Sequence, residues 1–395
     1  ARAMQGLSIA EATDIVLAEA RRLPSARLRP LEAVDRWLAE DVCAPRPHPP
    51  FRAAIKDGYA VLASDGLAER KLIGASRAGG PTDQLSIASG EAAYITTGAP
   101  LPPGTDAVVQ IESVRNILPE EHSSQPARIG LTTTVAPKPG LEVRAVGSDI
   151  TDGQLVLRSG DRFGAADVGL LMGLGCTSVL VYGRPCVAVL STGDELLDPL
   201  SADPVAPADA PDGRIYDSNR PLLLAVAAAE GAEVMDLGIA MDAAASLEAC
   251  LDAALAAGSD ILVCSGGVSM GDRDLVKPLL AKRGTVHYGK VVMKPGKPLT
   301  FATVPRPSGA PLLVFGLPGN PVSAFACFHL VVAPAIRHLA GDPQPRPRRV
   351  LATLGTPVKC DPDRPEYHRA ILVSTARGLV AHSTGEPPPP LLPPP

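Results

Sequence analysis

Between residues 185 and 342 short apolar runs alternate with longer ones of helical spacing. The runs at 186–190, 233–237, 261–264, 286–292 and 312–315 have the length of strands, and those at 221–230, 244–257, 275–282 and 322–340 the length of helices. This alternation predicts βαβ units and a doubly wound α/β domain over 185–342. Pro278 lies inside one helical run and predicts a kink or a late start there. Near the N-terminus Ser8 and Glu11 form a capping box for a helix that stops before Pro24. Pro30 predicts the opening of a second helix, with Leu31, Val34 and Leu38 on one face. The run PRPHPP at 45–50 breaks the pattern and marks a boundary. Residues 51–144 carry short apolar runs divided by Gly and Pro, a β-rich pattern, with 116–130 as a hairpin loop. The Pro/Ala/Asp stretch at 201–213 reads as a loop.

Composition narrows the class. A net charge of −5 and an aromatic content of 3% give neither a basic surface nor stacking platforms for nucleic acid. The seven Cys are scattered and suit small core positions in a reducing compartment, and the seven His lack metal-ligand spacing. No signal peptide is visible. Residues 312–336 hold no Asp, Glu, Lys or Arg. Pro318, Gly319, Asn320 and Pro321 interrupt them, so a strand, a loop and a buried helix are expected rather than a membrane span.

Three strand ends share one design. ILVCSGGVSMGDRD (261–274) runs into Ser265, Gly266 and Gly267, CVAVLSTGDEL (186–196) into Thr192 and Gly193, and LLVFGLPGNPVSAF (312–325) into Pro318, Gly319, Asn320 and Pro321. Gly permits a sharp bend, and backbone N–H groups left unpaired in such turns can hold a phosphate. Asn320 is a natural N-cap and Pro321 a natural first helical residue. In an open parallel sheet, loops at the carboxyl ends of strands line one crevice, so the three are expected to converge. Lys294 and Lys297, on the Pro-Gly loop of VVMKPGKPLTFA (291–302), would suit a dianion; alone, that loop reads as a solvated turn.

At these residues the chain resembles the molybdenum insertases, or molybdopterin molybdenumtransferases: bacterial MoeA and the E domain of gephyrin-type proteins. The resemblance rests on KDGYAV (56–61), TTGAPLPPGTDAVVQIE (96–112), STGDEL (191–196), IYDSN (215–219), SGGVSMGDRD (265–274), MKPGKP (293–298) and LPGNPVSA (317–324). They stand in family order, and PEYHRA (365–370) is similar to the gephyrin-type branch. The implied architecture is α/β multidomain. It comprises an elongated N-terminal domain from 1–45 and 145–184, a β-rich domain at 46–144, the molybdopterin-binding α/β domain at 185–342 and a C-terminal β domain at 343–395. That last domain departs from the family, because Ser383-Thr384-Gly385 runs into EPPPPLLPPP.

The implied enzyme is cytoplasmic. It inserts molybdate into the dithiolene of adenylated molybdopterin and releases AMP. It works as a homodimer with its active site at the subunit cleft, beside a molybdopterin adenylyltransferase partner. The resemblance implies a Mg²⁺ or other divalent cation on Asp194, Glu195 and Asp274, and molybdate on Lys294, Lys297 and Arg369. It implies pterin and phosphate contacts from Ser265, Gly266, Gly267, Thr192, Gly193, Asp217, Pro318, Asn320 and Pro321. Catalytic roles fall to Asp274, Ser269, Asp57 and Glu195. Plainer readings stand beside these. Asp57 before Gly58 reads as a turn residue, Asp194 and Glu195 as stabilisers of a helix start, Asp217 as an N-cap and Ser269 as a core-facing hydroxyl. Asp274 reads equally as base or metal ligand. Alternatives to the insertase are the adenylyltransferase itself and a gephyrin-like receptor scaffold.

Overall fold

The computed structural model describes residues 6–80, 85–117, 127–198, 213–267 and 275–384. Ser269, Asp274 and most of the 201–213 loop lie outside the described residues. The α/β domain is built on a six-stranded sheet. Glu233–Ala240, Cys186–Thr192, Ile261–Ser265 and Leu312–Leu317 stand parallel in that order. Thr300–Val304 and then Thr285–Tyr288 extend the sheet by antiparallel pairing. The strand Thr300–Val304 is buried throughout. It was not anticipated, because it follows the KPGKP loop with neither alternation nor a helix before it.

Successive strand residues point to opposite faces, so each strand feeds two cores. Val187, Val189, Ile261 and Val263 pack under the helices Ile9–Glu19, Asn219–Ala229 and Pro321–Leu339. Ala188, Leu190, Leu262 and Cys264 pack under Ala244–Ala256 and Val276–Arg283. Burial pushes the thiols of Cys264 and Cys327 up to about 12, in keeping with inert core residues. Pro278 sits in the first turn of its helix, where a missing N–H forfeits no helical bond.

Pro321–Leu339 is the one described helix apolar and long enough to cross a membrane, but Ala324, Cys327, Phe328, Val331, Val332, Ala335 and Ile336 along it are buried in the protein core. Its middle, Phe328–Val332, widens into a π-turn just before Pro334. Proline at that point frees the carbonyl four residues back, Leu330. The Thr13 hydroxyl shares its proton between that carbonyl, at 3.2 Å, and Ile9 O, at 2.7 Å.

This contact shows where the first helix belongs. Ser8 and Glu11 cap it as expected, but Ile9–Glu19 packs on the α/β sheet through Ile9, Ala12 and Val16. The segment was expected in the N-terminal domain, 1–45 and 145–184, and it lies against the α/β sheet. That domain's core joins Ala33 and Leu38 to Leu157, Phe163, Leu171, Val179 and Val181. Ser25–Leu28 pairs with Val179–Tyr182, and Val42–Cys43 with Leu155–Leu157. The expected second helix is a single turn, Pro30–Glu32. Leu31 is 77% exposed. Asp35 turns the chain left-handed at φ 66° and aims Trp37 and Leu38 into bridges with Arg162 and Val181.

The β-rich domain is a second six-stranded sheet, in the order Ala107–Gln110, Gly58–Val61, Glu91–Ile95, Arg70–Ser76, Arg128–Leu131, Val114–Ile117. The last two form the hairpin expected around 116–130. The domain is inserted in the N-terminal one, and its two connections run together: Ala53 and Ala54 pair with Arg144 and Val143, and His48 bridges Ile150. At the C-terminus Thr353–Leu354, Gly378–Ser383 and Ala370–Thr375 make a small three-stranded sheet.

Candidate active site

The carboxyl ends of the parallel strands open onto a pocket of about 430 Å³. Thr192, Gly193 and Glu195 line it from the first loop, Ser265, Gly266 and Gly267 from the second, and Pro318, Gly319 and Pro321 from the third. Gly266 has φ +86°, and a Cβ there would lie 2.6 Å from the Thr192 carbonyl oxygen. Only a residue without a side chain allows the loops this approach. The backbone is less available than expected: the Gly266 N–H donates to Leu317 O at 3.1 Å and the Gly193 N–H to Ala240 O at 3.2 Å.

Side chains carry the unmet polarity instead. Thr192 Oγ1 and Asn219 Oδ1 are buried and have no hydrogen-bond partner among the described residues. Asn219 is held by its amide, which donates to Ser265 Oγ and to Gly319 O, both at 2.7 Å. Orphaned buried polar atoms are costly unless a ligand satisfies them. Asn320 is spent on its own helix, accepting from the Val322 and Ser323 N–H groups at 3.0 and 3.2 Å.

Asp217 is 2% exposed and accepts at Oδ1 from Ser191 Oγ, Asn219 N–H and Arg220 N–H. The capping reading therefore describes its contacts, and it adds the buried Arg220 at 3.2 Å. Arg220 also pairs with Asp198 and Asp236. Burial opposes its charge, but the hydrogen bonds with Asp236 and Asp217 hold the guanidinium above its ordinary value. This network fixes the helix start that presents Asn219.

Among the described lining residues there is no Lys or Arg, while Glu195, Asp217 and Asp242 bring carboxylates. The Asp242 N–H donates to Asp194 Oδ1 at 3.0 Å, joining two loops at the rim. Among the described residues no three His, Cys, Asp or Glu side chains gather as a ready metal cluster. Asp194 and Glu195 supply hard oxygens of the kind a divalent cation takes. Asp242, Asn219 and Tyr216 were missing from the expected set. The strand Glu233–Ala240 runs three residues beyond its apolar core, which delivers Asp242 to the pocket. Asn219 closes the IYDSN motif and was legible there.

The remaining expected residues lie elsewhere. Lys294 is ion-paired with Glu366 and lies 3.6 Å from Asp361, which holds its ammonium above the ordinary lysine value through the Glu366 hydrogen bond. Its N–H donates to Pro365 O and its carbonyl accepts from the Tyr367 N–H, so the MKPGKP loop and the PEYHRA segment are stitched together. Lys297 and Arg369 are exposed. Asp57, also exposed, does not line this pocket. The Thr97 backbone N–H at 2.6 Å and hydroxyl at 2.8 Å hold its carboxyl below the usual range. Gly58 beside it admits no Cβ, which would lie 2.0 Å from Val109 O.

Comparison with known proteins supplies a context for this geometry. The MoeA N-terminal region (domains I and II) matches residues 7–175, and a probable molybdopterin binding domain matches residues 188–338. Gephyrin of Dictyostelium discoideum is 38% identical over 382 residues, 86% of this chain and 51% of that protein. The molybdopterin molybdenumtransferase of Haemophilus influenzae is 37% identical over 318 residues, 79% of this chain and 72% of that protein. A solved molybdopterin biosynthesis MoeA protein from Pyrococcus horikosii superposes with a TM-score of 0.75 at 30% identity, covering 97% of this chain and 90% of the other. The chain spans about half the length of Dictyostelium gephyrin and of the Drosophila melanogaster molybdenum cofactor synthesis protein cinnamon, 51% and 54%.

Proposed function

The chain belongs to the molybdopterin molybdenumtransferase family, and from that premise we propose that it inserts molybdate into the dithiolene of adenylated molybdopterin, releasing AMP. The observation that carries the reading is the pocket between the three loops, where Thr192 Oγ1 and Asn219 Oδ1 are buried without partners among the described residues. Both sit where a polar heterocycle or a phosphate ester would meet them. Asn219 is aimed by Asp217 and Ser265, so it orients a ligand at little entropic cost.

A phosphate facing Glu195 and Asp242 is repelled unless a cation lies between them. The hard-oxygen donors Asp194 and Glu195, with Asp274, would hold a Mg²⁺ or similar ion there. When bound, that ion neutralises phosphate charge at the scissile linkage. Molybdate is assigned to Lys294, Lys297 and Arg369, on the seam between the α/β domain and the C-terminal sheet. Glu366 and Asp361 then compete with the oxyanion for Lys294. Asp57, exposed and held rigid by Thr97, is assigned to the pocket of a second copy in a homodimer. Adenylated molybdopterin supplied by an adenylyltransferase, in the cytoplasm, completes the reading.

The test is AMP release from adenylated molybdopterin, with and without molybdate and Mg²⁺. Release that depends on both, with formation of active cofactor, is expected. Binding without release under all conditions would overturn the proposed activity.

A further inference from the structure

A second cavity lies away from the strand ends and is larger than the pocket there. It measures about 840 Å³ and lies where the N-terminal domain meets the end of the helix Asn219–Ala229 and the segment after Leu339. A volume of this size matches that of small-molecule sites.

The cavity is lined by arginine. Arg162 and Arg337 are neutralised by Asp35 at 3.1 Å and Glu230 at 2.7 Å. Arg36, Arg184 and Arg348 have no carboxylate at ion-pair distance among the described residues. Arg36 is half-buried, and its Nε is sealed from solvent without an acceptor. Among the described residues its one side-chain hydrogen bond is a long one from Nη1 to Tyr182 O, 3.4 Å. Burial, and then the like charge of Arg184, depress its guanidinium, with Glu233 opposing them in part. The other carboxylates in the wall are engaged by backbone: Asp161 by the Arg158 N–H at 2.9 Å and Asp342 by the Gln344 N–H at 2.7 Å.

Two like charges are thus held together with an unsatisfied donor fork between domains. A bound dianion would relieve the repulsion, and arginine forks match phosphate in geometry. We propose that this cavity binds a phosphate group, free or as a phosphate monoester, through Arg36, Arg184 and Arg348. The site is separate from the pocket at the strand ends, and the proposal does not depend on the activity assigned to that pocket. Occupancy would tie the N-terminal domain, through Arg36 and Arg184, to the segment that leads into the C-terminal sheet, through Arg348.

Trp37 lines the same cavity and is the only tryptophan in the chain. Its fluorescence therefore reports this site alone. Inorganic phosphate should change that fluorescence saturably, beyond the response to chloride at matched ionic strength. Losing one charged donor to a phosphate corresponds to about tenfold or more in affinity. Arg36→Gln should show at least that loss. The exposed variants Arg184→Ala and Arg348→Ala, which leave the buried fork untouched, should weaken binding in the same direction. Titration with AMP separates the sources: equal affinity identifies free phosphate, and tighter binding identifies an ester. Gly266→Ala, in the other pocket, should leave the phosphate titration unchanged. A response no larger than that to chloride, or one that matches the parent in all three arginine variants, would overturn the proposal.

Discussion

Replacing Arg220 with methionine would leave one buried carboxylate without its cation. Arg220 is 1% exposed and Asp217 2%. Asp198 and Asp236 keep 28% and 38% of their side chains in water, so they rehydrate when the guanidinium is gone. Asp217 has no such recourse and would retain, among the described residues, Ser191 Oγ and the backbone N–H groups of residues 219 and 220. Breaking a buried pair costs about 3–5 kcal/mol. Three retained donors put Arg220→Met near the lower bound, about 3 kcal/mol. An asparagine at 217 keeps the acceptor but not the charge, so Asp217→Asn combined with Arg220→Met should recover about 1–2 kcal/mol of the loss. Native-state hydrogen exchange at the amides of Cys186–Thr192 reports the α/β domain apart from the rest of the chain. There, about 3 kcal/mol appears as exchange faster by about a hundredfold. Exchange within about fivefold of the parent, or a double variant no slower than Arg220→Met, would refute the electrostatic account.

Gly266→Ala should cut AMP formation more than about tenfold and cost about 1–3 kcal/mol of strain, since its Cβ meets Thr192 O. Parental turnover with an unchanged circular dichroism spectrum would contradict this. The Lys294–Glu366 contact should survive from mildly acidic to strongly basic pH. The Glu366 carboxyl is lowered by its Lys294 hydrogen bond, so the contribution is present above the ordinary glutamate value and lost as pH falls through the folded one. Lys294 is raised, so at the basic end the pair outlasts an isolated lysine. Proteolysis between residues 354 and 370, followed against pH, should accelerate only on strong acidification; Glu366→Gln should show the fast rate at neutral pH and a lower half-saturating molybdate concentration. Thr13→Val removes the donor to Leu330 O and should lower the urea midpoint by the equivalent of about 1 kcal/mol. An unchanged midpoint would mean that the π-turn carbonyl needs no partner.

The three loops were legible because each follows a run of buried aliphatic residues and ends in glycine or proline. A strand that stops at a Gly-bearing turn can be read from local pattern alone. Asn320 was legible for the same reason, as a cap before Pro321. What escaped depends on pairing across long distances. Arg220 looks like a surface residue in NRPLLL until Asp198 and Asp236 arrive from other elements. Lys294 reads as a solvated cation until Glu366 is docked beside it. The turn at Pro30 was misread because helical spacing at 31, 34 and 38 also fits a chain that reverses at Asp35 and buries Leu38 from a strand-like bridge. Asp242 was out of reach because Gly238 interrupts the apolar run of Glu233–Ala240, so the pattern ends before the strand does.

The paired connections into the β-rich domain set the manner in which it can move. A two-stranded antiparallel ribbon resists stretching, because any lengthening slides one strand past the other and breaks the ladder at Ala53–Arg144 and Ala54–Val143. It resists torsion less, and flexes most readily out of its own plane. The domain is thus mounted on a strap rather than a swivel, with essentially one arc of travel. Asp57 stands three positions past Ala54, so that arc is also the path of its carboxylate. Any reach toward another molecule is then set by how far the strap folds, not by the freedom of a linker.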